Sequence, residues 1–156
     1  MPTKKIILGT DHAGFELKEE IKRFLVKEGF EVGDAGAHKF DANDDYPDFI
    51  FEATKKVSED KNNRGIIFGA SGQGEAIVAN KVKGIRAAVY YGQNIEIVKL
   101  SRAHNNANIL SLGARFLKKK EAIEAVKLWL KTEFSKEEKH KRRVKQISQI
   151  EEKTCK

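Results

Sequence analysis

The stretch GIIFGASGQGEAIVANK, Gly65–Lys81, decides the fold. Four residues, Gly65-Ile66-Ile67-Phe68, form an apolar strand candidate. A glycine-rich loop, Gly69–Gly74, follows, and a helix is expected from about Glu75. Strand, glycine loop and helix in that order make up half of a β/α unit, with a run of backbone N–H groups open to a ligand. The acid is the puzzle. Helix N-termini attract anions, so a phosphate held in this loop would sit beside the Glu75 carboxylate. Two nucleotide signatures also fail. A Walker loop needs Gly-Lys-Ser/Thr where Gly74-Glu75 stands, and the glycines follow G-x-x-G-x-G rather than G-x-G-x-x-G. What remains is a nest of amides with the Ser71 hydroxyl, suited to an oxyanion formed in a reaction, or simply to a tight turn.

Outward from this unit the same alternation repeats. Lys5–Gly9 reads as a strand, and Phe15–Lys27 places Leu17, Ile21, Phe24 and Leu25 on one helical face, with Gly29 as its stop. Phe30–Val32 is a short strand candidate, and Pro47 suits the first turn of a helix carrying Phe49, Ile50, Ala53 and Val57. Ile85–Tyr90 and Ile109–Leu112 are further strands around a helix over Ile95–Ala103. Two helices, about 119–133 and 136–152, close the chain. Short strands with little alternation are expected where both sheet faces are covered. The pattern predicts an α/β protein with a three-layer αβα, Rossmann-like fold and a five-stranded parallel sheet. With the common strand order 2-1-3-4-5, ligands would bind between strands 1 and 3, where Thr10–Gly14 and Gly69–Gly74 leave the sheet.

A chain of 156 residues fits one domain, 1–156, and no linker or repeat marks a second. No apolar run approaches the roughly 18 residues of a membrane span. The first residues lack a signal-peptide pattern, and the single cysteine, Cys155, gives no disulfide, so a cytoplasmic protein is expected. The net charge of +7 is uneven: residues 1–117 balance to +1 and residues 118–156 to +6. A basic tail suggests an anionic partner, with a solvated helical face as the plain alternative.

The polar residues cluster at a few points. Asp11 and His12 follow strand 1, and Asp11 could equally cap the first helix. Tyr46 lies in the long second loop and could line a ligand site or cover the core. His104-Asn105 ends the fourth helix, where a histidine is also an ordinary stop. Arg115 follows strand 5. Lys139 and Arg143 share a face of the last helix, and an arginine fork suits a phosphate. His12, His38, His104 and His140 show no H-x-x-x-H spacing, so neither a metal nor another cofactor is expected. Trp129 and Phe134, the aromatics near the basic tail, read as core, which makes nucleic acid an unlikely partner.

Taken in register, Thr10–Gly14, Asp45–Asp48, Gly69–Gly74, Ala79–Lys81, Gly84–Arg86, His104–Ala107 and Gly113-x-Arg115 resemble the type B sugar-phosphate isomerase family. That family comprises ribose-5-phosphate isomerase B and the galactose-6-phosphate and allose-6-phosphate isomerases. The resemblance covers residues from about 5 to 150. It implies an aldose–ketose isomerase of the pentose phosphate pathway working through a cis-enediolate, and a homodimer, possibly paired into a tetramer, whose active sites use both subunits. It also implies roles. Asp11 and His104 match the groups that open the sugar ring. Ser71 and the loop of Gly69, Ala70, Gly72 and Gly74 match the enediolate cradle. His12, Arg115 and Arg143 match phosphate contacts, and Tyr46 and Asn105 match the sugar pocket. Many members carry a cysteine base at the position of Gly69; this chain resembles the subgroup whose base is the glutamate just past the loop, here Glu75. Lys139 stands where many relatives have arginine, keeping the charge but not the fork. The acid then need not exclude an anion from the loop, since the phosphate is expected at the basic residues. At a helix start Glu75 is expected to favour its ionised form, with burial opposing. A hexose-6-phosphate isomerase and a non-catalytic sugar-phosphate or nucleic-acid binding domain are the alternatives.

Overall fold

Alternate residues of each strand face opposite layers, and this builds two cores on one sheet. A computed structural model describes residues 3–154; Cys155 lies outside them. The strands are β1 (Ile6–Thr10), β2 (Val32–Asp34), β3 (Arg64–Gly69), β4 (Ala87–Tyr90) and β5 (Ile109–Gly113), all parallel. The helices are α1 (Phe15–Lys27), α2 (Tyr46–Ser58), α3 (Gln73–Ala79), α4 (Glu96–Ala103), α5 (Lys119–Lys131) and α6 (Glu138–Thr154). Ile6, Leu8, Ile66, Phe68, Leu110 and Leu112 pack with Ile21 and Leu25 of α1, Val98 of α4 and Trp129 of α5. Ile7, Ile67 and Ile109 face the other way, onto Ile50, Ala53 and Val57 of α2 and Ala79 of α3. The three-layer reading holds, and β1, β3 and β5 are buried along most or all of their length because helices cover both faces.

The strand order is β2-β1-β3-β5-β4, not the expected 2-1-3-4-5. Gly65 through Gly69 of β3 pair with Ile109 through Gly113 of β5, and β4 is left at the edge. The crossing point between β1 and β3 is unchanged, but the swap brings the segment after β5 beside the glycine loop. There Ala114 N–H donates to Gly69 O (2.8 Å) and Arg115 N–H to Ala70 O (3.1 Å).

Element ends differ in small ways. The second strand starts at Val32 rather than Phe30, because the chain is still closing α1: Gly29 has φ +88° and Phe30 N–H donates to Leu25 O. The last two helices run Lys119–Lys131 and Glu138–Thr154. His140 is the sole buried residue among those described in α6, and Ile147 and Ile150 are 46% and 60% exposed on one face. No described helix is long and apolar enough to cross a membrane.

The loop between β2 and α2 is pinned from below. Lys18 is fully buried and donates to both carboxylate oxygens of Asp34 (2.8 Å each) and to Ala37 O (2.6 Å); Lys22 adds a bond to Asp34. Burial alone would raise the Asp34 carboxyl, but bonds from Lys18, Gly36 and Lys22 outweigh it and hold it below its ordinary range. A buried ion pair of this kind stiffens the chain leading to residues 38–45.

Candidate active site

In a parallel sheet every strand points the same way, so the segments after β1, β3 and β5 meet at one edge. A cavity of about 260 Å³ opens there, lined by Asp11, His12, Ala13, Tyr46, Ala70, Ser71, Gly74, Glu75 and Arg115. Three residues hold the glycine loop's shape. Gly72 has φ +82°, a conformation that other residues adopt at a cost. The Ser111 hydroxyl of β5 donates to Gly72 O (2.6 Å). Gly74 lies so close to Tyr46 that a Cβ there would come within 2.6 Å of the phenol oxygen. Gly72 and Gly69 shape the loop rather than line the cavity.

Glu75 answers the puzzle of the acid. Its side chain is turned onto the backbone at the end of β3, and a Cβ on Gly69 would collide with its carboxyl carbon and both oxygens. Glycine at 69 and glutamate at 75 are therefore one feature: the carboxyl group fills the space a side chain at 69 would take. Glu75 is 4% exposed. Burial is the largest influence on it and raises its pKa; the nearby amides of Glu75 and Gly72 oppose this, and the charge of Asp11 adds to it. The expectation that the helix start would keep it readily ionised is thus reversed. Its proton affinity lies above that of an ordinary glutamate, as suits a base working near neutral pH.

Asp11 is also buried, and its Oδ1 accepts the Ala13 N–H (3.0 Å), so it does cap the short turn His12–Gly14 while lining the cavity. His12 has a partner that reading along the chain misses. Asp44 Oδ1 accepts the His12 backbone N–H (3.0 Å) and lies 2.7 Å from Nδ1 of the ring. The bond to Asp44 raises the His12 pKa above its ordinary value. Burial opposes it, the carboxylates of Asp11 and Asp44 reinforce it, and Arg115 lowers it slightly. Asp11, His12 and Asp44 bring three ligand-type atoms within 4.8 Å of one another, a grouping no spacing rule shows because Asp44 is remote in sequence. Here the ring nitrogen is engaged by Asp44 in a hydrogen bond, which favours the protonated imidazole at the wall of the cavity. A raised pKa means the cationic form is lost only as pH rises through that raised value. Asp44→Asn should therefore move the alkaline loss of anion binding at this cavity to lower pH; a pH series of inorganic phosphate affinity checks it.

The other expected site residues are elsewhere. α4 returns the chain to the starting edge of the sheet, so His104, its cap, stands five residues before β5 begins. His104 stacks on His140 of α6, centroids 4.1 Å apart, and Asn105, Lys139 and Arg143 belong to these same two segments. His140 is buried, its Nδ1 makes no hydrogen bond but lies 3.9 Å from Glu137 Oε2, and burial followed by the neighbouring His104 lowers its pKa against the charge of Glu137. Six residues of β3 separate the two edges, about 20 Å. Within one chain, His104, Asn105, Lys139 and Arg143 are not brought together with Glu75.

Comparison with known proteins identifies the family. Residues 6–147 match the family model described as Ribose/Galactose Isomerase. The chain is 40% identical over 147 residues to ribose-5-phosphate isomerase B of Mycolicibacterium paratuberculosis, covering 94% of this chain and 91% of that one. Among solved structures, ribose-5-phosphate isomerase B of Clostridium thermocellum is 45% identical with a TM-score of 0.89, covering 96% of this chain and 98% of that one. The Mycoplasma genitalium enzyme with bound ribulose-5-phosphate is 38% identical with a TM-score of 0.92, covering 99% of this chain and all of that one. With a family match over residues 6–147 and a relative 40% identical over 94% of its length, this chain belongs to the ribose/galactose isomerase family.

Proposed function

We propose that this protein interconverts ribose 5-phosphate and ribulose 5-phosphate, with Glu75 as the base that carries the proton. The observation that supports it most is the Glu75 carboxyl group, buried beside the cavity that Ala70, Ser71 and Gly74 of the glycine loop line, with its proton affinity raised. Relatives named ribose-5-phosphate isomerase B, one of them holding ribulose-5-phosphate, favour the pentose over a hexose 6-phosphate.

The steps follow from the placement. Asp11, with a histidine, assists opening of the furanose ring. Glu75 then takes the proton from C2, and the electrons of the C1 carbonyl move to O1. The amides of Ala70, Ser71 and Gly74, which line the cavity, and the Ser71 hydroxyl meet that oxyanion, a stabilisation strengthened by the low dielectric around it. Glu75 returns its proton to C1 while O2 gives one up and O1 gains one, so no proton is lost overall. His12 and Arg115, on the wall of the same cavity, hold the phosphate.

His104, Asn105, Lys139 and Arg143 stand about a strand's length from this cavity, so the reading requires a second copy to supply them. The apolar face of α6, with Ile147 and Ile150 exposed, supports a homodimer in which that helix packs on a partner. Lys139, which contacts Glu137 (3.6 Å), keeps a charge there without an arginine's paired bonds. Incubation with ribose 5-phosphate in the presence of a chelator tests the reading. Ribulose 5-phosphate should form with kcat/KM well above that for allose 6-phosphate, whereas turnover of the hexose alone would displace the pentose assignment.

A further inference from the structure

A second cavity, about 560 Å³, lies at the opposite edge of the sheet from the glycine loop, and its wall is basic. Arg64, Arg86, Arg102, Lys61 and Lys136 line it, against one carboxylate, Glu133. It is distinct from the cluster assigned to the reaction, since neither His104, His140, Lys139 nor Arg143 lines it.

The three guanidinium groups are anchored from behind by carbonyls. Arg64 Nη1 donates to Trp129 O and Leu130 O at the end of α5, and its guanidinium lies over the Trp129 ring. Arg102 donates from Nε to Thr132 O and from Nη1 to Asn106 Oδ1 and Ala107 O. Arg86 donates from Nε to Asn106 O and from Nη1 to Gly84 O. Trp129 O, Leu130 O and Thr132 O stand at the end of α5, where carbonyls carry partial negative charge, and the other acceptors lie in the loops before β4 and β5. These bonds leave the Nη2 group of each arginine without a hydrogen bond to any described residue. No described carboxylate lies within ion-pair distance of any of the three; Glu151 acts on Arg86 from farther off.

Three cations fixed together with no carboxylate in ion-pair contact repel one another. Burial, then the charges of Arg64 and Arg86, lower Arg102 to about 10, so it remains charged at neutral pH and its cost is borne by the fold. Arg86 and Arg102 have two nitrogens tied and Arg64 has one, and a fork so held, with Nη2 open, is preorganised for an oxyanion.

We propose that Arg64, Arg86 and Arg102, with Lys61 and Lys136 at the rim, form a second anion site that binds a phosphate group, free or carried on a small metabolite. The site can be occupied while substrate is held at the glycine loop, because the sheet separates the two. It does not depend on the isomerase reading.

The test is titration of the 15N-labelled full chain with inorganic phosphate, followed by amide and arginine Nε–H resonances. Arg64, Arg86, Arg102 and Asn108 should shift along a saturable curve separate from that of His12, Ser71 and Arg115. Lys61→Ala/Lys136→Ala, which alters exposed residues, and Arg64→Gln should each weaken the first curve, the latter about tenfold, and leave the second unchanged. Phosphate esters added next distinguish a metabolite from the free ion by a tighter curve at the same resonances. Shifts confined to the glycine-loop side, or a first curve unaltered in a variant with a native spectrum, would overturn the proposal.

Discussion

Glu75→Gln is expected to lower kcat for ribose 5-phosphate about 10³-fold with KM nearly unchanged, since a positioned general base contributes roughly 10²–10⁴. The substitution keeps the shape of the side chain and removes only its ability to accept a proton. Stability should move the other way. Glu75 has a raised pKa in the folded chain, so the unfolded chain releases its proton first. Above that point folding carries the cost of a buried ionised carboxylate, and stability declines as pH rises from the unfolded value through the folded one. Glutamine carries no such cost. The variant should therefore melt higher than the wild type at neutral pH, with the gap closing in acid, where both carry a neutral side chain. A thermal melt at two pH values beside steady-state kinetics reads both effects. Loss of activity with a lower melting temperature at neutral pH would mean that the substitution disturbed packing rather than chemistry.

Gly69→Ala gives the second large effect, by moving the base instead of removing it. The added Cβ would occupy the place of the Glu75 carboxyl group, which must swing away. The obstructed atoms are the end of a flexible side chain, so the fold should tolerate the change with little loss of stability. A reacting group displaced by about 1 Å costs about 10²-fold in rate, and kcat should fall by at least that. Gly65→Ala is the control. Its Cβ would meet Val57 Cγ2 at 2.8 Å and Ile109 Cγ1 at 3.1 Å in the core, so stability should fall, by about 1–3 kcal/mol, while kcat holds. Melting temperature and kcat for the pair separate a site effect from a packing effect.

The parts of this molecule readable along the chain are those whose signal is local. Apolar runs marked β1, β3, β4 and β5, while β2, Val-Gly-Asp, was found only at Val32; the 3.6-residue period marked α1 at its true ends, Phe15 and Lys27. The convergence of the loops after β1 and β3 needed only the rule for parallel sheets. Strand order was not readable: β4 and β5 are similar apolar runs, and nothing in their composition says which pairs with β3. Asp44 was missed because it stands in a polar loop with Asp41 and Asp45, and only the folded path shows which carboxylate reaches His12. The three arginines of the second cavity are spread over residues 64–102, and no motif links them. The remoteness of His104 from Glu75 is a different case. A helix that follows one parallel strand and precedes the next must end at the starting edge of the sheet, so topology alone placed His104 opposite the glycine loop.

That separation makes the most direct test one of subunit mixing. Glu75→Gln and Arg143→Ala chains, each inactive alone, are denatured together, refolded as a 1:1 mixture and assayed with ribose 5-phosphate. If each site takes Glu75 from one chain and Arg143 from another, half of the dimers are hybrids, and each hybrid holds one intact site. About one quarter of wild-type activity should return. If the mixture forms hybrids and stays as inactive as its parents, Glu75 and Arg143 do not serve one site across two chains, and the account is contradicted.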